Sequence, residues 1–322
     1  MDSPTTARRS AGFTLVEMLI TLAIIALLMG LLLTGLRSAR NTAREGRQLN
    51  NLRQTYTAWG MYSTNNNESL LPGFIDTGVQ NYWKVKYRNS SGQTIAPELC
   101  QTYTWRIAGY LDYGTELFLG YLDQPGMDFS TSIYQAGTRP YSMPPGLAPA
   151  ETLAGSAAAL QPEFGLNAYY LGGWWEMNAG VPAMRFIDAK HPTTNASIIP
   201  VARSVAQVTR PENILVFCSS TYSDPGTIKG PDEAASGSAW VVPPWLGVNQ
   251  IWEVGGGGLD EGSINVLSAQ AVPLRRFNSI PWSAADGSAR TATFAELRDM
   301  KAWTNRQDLT GTQGYGSVHT EN

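Results

Sequence analysis

The sequence predicts an α+β protein in which a long N-terminal helix, half membrane-spanning and half amphipathic, packs on an antiparallel, β-rich globular head. Three observations point there. An apolar run opens the chain within RRSAGFTLVEMLITLAIIALLMGLLLTGLRSAR, Arg8 to Arg40. The run passes without a break into a stretch whose apolar residues recur every three or four positions. Beyond it, 32 glycines and 19 prolines in the chain punctuate the sequence so often that no further long helix fits.

Composition narrows the function classes. With 322 residues, 43% hydrophobic and 15% charged, the chain can bury a substantial core. Its net charge is −3 with no basic block, so it lacks the electrostatic footprint of a nucleic-acid partner. Its two histidines, His191 and His319, fall in no zinc-ligand spacing. Cys100 and Cys218 either pair in an exported head or stand as two buried thiols; two cysteines define no disulfide framework.

The first element is the apolar helix. From Phe13 to Leu36 the only charged residue is Glu17. At about 1.5 Å per residue this run makes a helix of roughly 36 Å, enough to cross a bilayer core of about 30 Å. Arg8 and Arg9 favour a cytoplasmic N-terminus and a head outside the inner membrane, while Arg37, Arg40, Arg44 and Arg47 pull the other way. A cleaved secretory signal does not fit, because its apolar region spans about 7–15 residues and ends in small ones. The carboxylate needs a reason, since a charge at mid-bilayer costs roughly 2.5–3.5 kcal/mol even on insertion scales.

Gly12-Phe13-Thr14-Leu15-Val16-Glu17 resembles the prepilin signature of type IV pilins and type II secretion pseudopilins. The resemblance implies that a prepilin peptidase cuts between Gly12 and Phe13 and methylates the new amine of Phe13. Residues 1–12 are then a leader, 13–36 the transmembrane and filament-core helix, and 37–66 its amphipathic continuation. Glu17 is implied to pair with the N-terminal amine of a neighbouring subunit, a polar contact that sets register. Thr34 stands where many pilins have a proline, leaving Gly30 and Gly35 as the local weak points of the helix.

In the continuation, Leu36, Ala39, Ala43, Gly46, Leu49, Leu52, Tyr56 and Trp59 share one helical face, and Asn65-Asn66-Asn67 mark the stop. In the head, 67–322, strand-like segments occur at Tyr82–Tyr87, Asn213–Ser219 and Ala239–Val242, and Trp105–Leu111 fits a strand or a short helix. Gln135–Gln161, rich in Pro, Gly and Ala, reads as a loop, and Phe294–Trp303 as a late helix capped by Thr293. Gly255 to Gly258 reads as a flexible turn, lacking the Lys-Ser/Thr that completes a phosphate loop. Asp260 and Glu261 beside it are weak calcium candidates without EF-hand spacing, so no cofactor is expected.

The C-terminal region, about 264–322, resembles the H-x9-DG ending of pilin-like proteins of planctomycete and verrucomicrobial type. Asp286-Gly287 supplies the DG, and Arg276 replaces the histidine with a donor that does not titrate near neutral pH. Asp-Gly between short strands suits a type I′ hairpin turn. FGLNAYYLGG and VTRPENILVFCSS also look like segments of these proteins.

No G-x-S-x-G, H-E-x-x-H or Cys–His signature is present, so catalysis is not expected. Trp174, Trp175, Trp240, Trp245 and Trp252 are either a sugar-stacking platform or core residues, the latter favoured because tryptophan is highly buried on average. The chain therefore reads as a structural subunit, a pseudopilin of a type II secretion pseudopilus or a minor pilin of a type IV pilus. Its implied partners are the inner membrane, prepilin peptidase, other pilin subunits, and an assembly platform with its ATPase. Its head is periplasmic, or extracellular in a filament. The alternative is a membrane-anchored periplasmic binding or adhesion protein that does not polymerise.

Overall fold

The computed structural model describes residues 14–89, 91–114, 117–119, 159, 161–185, 189–190, 197–198, 200–221, 237–246, 249–250, 252–254, 264–266, 272–273 and 279–305. The chain divides into two compact units, residues 1–46 and 47–322. Helix α1 spans Leu15–Asn65 and runs through Gly30 and Gly35 without a break. In the first unit, residues 14–33 are exposed throughout, and the helix is long and apolar enough there to cross a membrane.

In the second unit α1 buries Gln48, Leu52, Thr55, Ala58, Trp59 and Ser63. The expected face had Leu49 and Tyr56 in place of the polar three; both are only half-buried. The buried face is turned because short polar side chains bury cheaply when they find an acceptor. Thr55 Oγ1 donates to the Asn51 carbonyl at 2.9 Å and Ser63 Oγ to the Gly60 carbonyl at 2.8 Å. Gln48 Nε2 donates to Glu163 Oε1 at 2.5 Å, across the fold. An apolar-or-polar pattern scores all three as solvent positions. The helix stops at Asn65, and the chain reverses through Asn67 and Glu68 at φ 53° and 59°.

Strand β1 (Phe74–Ile75) leads into α2 (Thr77–Trp83). Tyr82–Tyr87 is thus not a strand. Asp76 caps α2, accepting from Val79 N at 2.6 Å, and this local cap outweighs the strand preference of Tyr82 and Trp83. Trp105–Leu111 takes the helical alternative, α3 (Thr104–Ala108) followed by a 3₁₀ turn at Gly109–Leu111.

Next come β2 (Phe164–Leu166), β3 (Trp174–Asn178), β4 (Val181–Arg185), β5 (Ala189–Lys190), β6 (Ser197–Ile198) and β7 (Leu215–Thr221). They are followed by β8 (Trp245–Leu246), β9 (Asn249–Gln250), β10 (Trp252–Val254), β11 (Ile264–Val266) and β12 (Val272–Pro273). Strands β13 (Ile280–Ala284) and β14 (Ala289–Ala292) and helix α4 (Phe294–Leu297) close the described fold. The main sheet has order β12-β7-β13-β14, with β2 also on β7, and every pairing in it is antiparallel. A smaller sheet, β1-β3-β4, joins β1 in parallel and β4 in antiparallel fashion.

Strand β7 is buried on both faces, which is why LVFCSST reads as a continuous run rather than an alternation. Val216 and Phe217 pack in one cluster with Leu52 and Trp59 of α1; Leu215 and Cys218 pack in another with Trp282 and Trp303. Ala239–Val242 forms no strand. Trp240 makes a single parallel bridge to Leu166, and Pro243 and Pro244 remove the amide donors that a longer pairing needs. The Thr293 cap is present as a reciprocal capping box with Glu296, but the helix lasts only to Leu297. Asp299 then caps a separate 3₁₀ turn at Met300–Ala302 through Lys301 N, so one expected helix becomes two short turns.

Candidate functional site

The first site is the start of α1. Thr14 N and Thr14 Oγ1 donate to Glu17 Oε2 at 2.9 and 2.8 Å, and Glu17 N donates back to Thr14 Oγ1 at 3.3 Å. This is a capping box: the hydroxyl serves one orphan amide of the first turn and the carboxylate serves another. Its T-x-x-E spacing stands in the sequence, yet the reading of Glu17 as an inter-subunit partner passed over this local role. Around it Leu15, Val16, Met18, Leu19 and Ile20 are all exposed. The helix therefore presents an apolar surface with one carboxylate, held by its own first turn.

The model of the prokaryotic N-terminal methylation motif matches residues 7–33. The chain carries that methylation motif. It supports the type IV pilin and pseudopilin family, and the matched span includes Arg8, Arg9, Gly12, Phe13, Thr14 and Glu17. No curated protein and no solved structure matches the chain significantly. Within the motif, Thr14 and Glu17 are brought together, while Arg8, Arg9, Gly12 and Phe13 lie outside the described residues.

The second site is the Asp-Gly turn between β13 and β14. It is not type I′, because Asp286 does not have a positive φ. Gly287 alone does, at 89°, and Gly287 N donates to the Ala284 carbonyl at 3.0 Å. Ala284 N donates to the Ser288 carbonyl at 2.9 Å, which makes this a three-residue loop, a type I turn closed by a glycine bulge. Ala285 N and Asp286 N donate to the carbonyls of Ile214 and Pro211, at 2.8 and 3.0 Å, so the turn docks on the segment that leads into β7. Tyr56 of α1 covers it, donating its hydroxyl to the Ala285 carbonyl at 2.5 Å. Burial raises the Asp286 pKa, but the Ser288 N–H donated to Oδ1 at 2.8 Å and the nearby positive charge of Arg290 outweigh this and hold the carboxyl below its ordinary range. The turn is a structural clasp. Arg276, its expected donor, lies outside the described residues.

The other candidates separate. Cys100 and Cys218 are free, buried thiols in different core clusters, not a disulfide. The tryptophans form no common platform. Trp245 and Trp252 are buried, Trp240 is half-buried, and Trp174 stacks on Phe74 at 4.3 Å and meets Trp240 edge-on at 5.0 Å. His191, His319, Gly255 to Gly258, Asp260 and Glu261 lie outside the described residues, as does nearly all of Gln135–Gln161. Among the described residues no three His, Cys, Asp or Glu side chains converge as a metal site.

Sequence reasoning also missed Arg106. The residue is 4% exposed, and its guanidinium has no carboxylate partner among the described residues. Backbone carbonyls hold it instead: Nε donates to Thr102 O at 2.7 Å, and Nη2 to Gly73 O at 2.9 Å and Gln101 O at 3.3 Å. It thereby ties α3 to the loop before β1 and does structural duty, which no periodicity reveals.

Proposed function

We propose that this chain is a non-enzymatic pilin-class subunit, a pseudopilin or minor pilin, matured by prepilin peptidase between Gly12 and Phe13. The methylation motif over residues 7–33, whose described part is a fully exposed apolar helix, carries this reading. Before assembly the helix spans the inner membrane and the head faces the periplasm. Lipid covers the apolar surface then, and neighbouring helices cover it in the filament.

Glu17 is the selective element. In a lone subunit its carboxylate serves the first turn through Thr14. In the filament it takes the methylated amine of a neighbouring Phe13, a charge-assisted bond in apolar surroundings that is strong when paired and costly when one partner is missing. Assembly then depends on register, since only one axial offset brings amine and carboxylate together.

The test is Glu17→Ala expressed with the peptidase and assembly machinery of the native host. The leader is expected to be removed as in the wild type while incorporation into sheared filaments falls at least about tenfold. Normal incorporation would remove Glu17 from the assembly account. Gly12→Glu in parallel should leave an unassembled precursor that keeps its leader.

A further inference from the structure

The segment Tyr82 to Arg88 carries two features that no part of the assembly account uses. The first is aromatic. Tyr82 and Trp83, at the end of α2, are 54% and 38% exposed. The Trp83 ring meets the half-buried Trp175 edge-on at 5.4 Å, and Trp175 is oriented by its indole N–H on the Gly172 carbonyl at 3.0 Å.

The second feature is charge. Lys84 ends α2 in the left-handed region, φ 58° and ψ 31°, with its N–H on the carbonyls of Asn81 and Gln80. Glycine is the unstrained residue at such a position, so a lysine here is held against a steric preference. From it the chain runs into a hairpin arm. Ile95 N donates to the Tyr87 carbonyl at 2.9 Å, Arg88 bridges to Thr94, and Asn89 Oδ1 accepts from Ser91 N and Gln93 N. Along the arm Lys84, Lys86 and Arg88 are exposed while Val85 and Tyr87 turn inward. The alternation of exposed and inward residues from Lys84 to Arg88 sets the three cations on the solvent side of the arm. Arg88 Nη1 is steadied by the Gly92 carbonyl at 3.1 Å, and none of the three cations has an acidic partner among the described residues. The row stands out in a chain whose net charge is −3.

Exposed rings alone are ordinary, and so are exposed cations alone. An exposed tyrosine and a tryptophan braced against Trp175, opening onto cations with no acidic partner among the described residues, call for an anionic, ring-bearing ligand. We propose that Tyr82 to Arg88 is a binding strip for an acidic polysaccharide. Tyr82 and Trp83 stack against the apolar faces of sugar rings, and Lys84, Lys86 and Arg88 pair with uronate carboxylates. A single-stranded nucleic acid fits less well: past Trp83 the outward side of the arm bears no ring on which successive bases could stack, since Tyr87 faces inward.

The test uses the full-length protein in detergent, titrated with polygalacturonate oligomers, neutral amylose oligomers of equal length and a single-stranded DNA oligonucleotide, followed by tryptophan fluorescence. Polygalacturonate should bind, bind less tightly as salt rises from about 50 to about 300 mM, and outcompete both other probes. Lys84→Gln/Lys86→Gln/Arg88→Gln should weaken it at least about tenfold with the thermal midpoint unchanged. Lys84→Gly should raise the thermal midpoint yet weaken binding, which a purely structural lysine would not do. The proposal is overturned by absent polygalacturonate binding, by equal binding of amylose, by tighter binding of DNA, or by wild-type affinity in the triple variant.

Discussion

Replacing Gly287 by alanine should destabilise the head by about 2–4 kcal/mol, and the structure separates the two sources of that cost. The residue sits at φ 89°, where a side chain adds about 1–2 kcal/mol of backbone strain. A Cβ there would also lie 2.9 Å from Tyr56 Cε1. The Tyr56 ring is not free to swing aside, because its hydroxyl holds the Ala285 carbonyl and its face lies 5.5 Å from Trp59. Overpacking with a single contact under 3.0 Å falls in the lower part of the usual range, about 1–2 kcal/mol. For a head of this size the thermal midpoint should fall by roughly 4–16 °C. Urea denaturation measures the loss directly, and a double-mutant cycle with Tyr56→Ala divides it. Removing the ring should recover about 0.5–2 kcal/mol of the Gly287→Ala cost as coupling, leaving the backbone part. A change in Gly287→Ala below about 0.5 kcal/mol, or strict additivity with Tyr56→Ala, would refute the clasp between helix and turn.

Other consequences follow from burial and capping. Burial pushes the Cys100 thiol up to about 12 and the Cys218 thiol well above its usual range. A thiol reagent at about pH 8 should therefore modify neither until the protein unfolds, and reduction should leave gel mobility unchanged; rapid native-state labelling would contradict the buried placement. Cys100 and Tyr87 hold their protons more tightly folded than unfolded, with usual values of 9.0 and 10.0 against about 12. The stability they contribute is complete below about pH 9 and drains away as pH climbs toward 12, which urea midpoints across that range will show. Asp76 serves two elements at once, accepting from Val79 N through Oδ1 and from Met177 N at 2.8 Å through Oδ2. Asp76→Ala should cost about 1–3 kcal/mol in urea unfolding, with Asp76→Asn recovering part of it; a neutral alanine variant would remove its bridging role.

What the sequence made legible was local in origin. The extent of α1 follows from an unbroken apolar run and an asparagine stop, β7 from a block of β-branched and aromatic residues, and the Thr293 cap from its own spacing to Glu296. The errors arose where a short-range or long-range partner changed the outcome. Asp76 turned aromatic strand formers into α2. Two prolines stopped pairing after Val242. Gln48, Thr55 and Ser63 entered the core because acceptors awaited them, one from a distant loop. At the N-terminus the signature and an apolar length sufficient to cross a membrane were readable, as was the capping spacing of Thr14 and Glu17 once local bonding is considered. The Asp-Gly turn was visible as a hairpin, but its type depends on the backbone of Asp286, and its docking on Pro211, Ile214 and Tyr56 joins segments far apart in the chain. The alternation that puts Lys84, Lys86 and Arg88 on one side of the chain stood in the sequence, but alternation alone does not say that this side meets solvent.

On the function proposed above, α1 enters a filament after its leader is removed, with Glu17 facing a processed neighbour. Mass spectrometry of the N-terminus in a sheared-filament fraction from the native host tests it most directly. The expected subunit begins at Phe13 and carries a methyl group on its amine. A filament subunit retaining Met1 through Gly12, or a mature Phe13 found only in membranes and never in filaments, would contradict it.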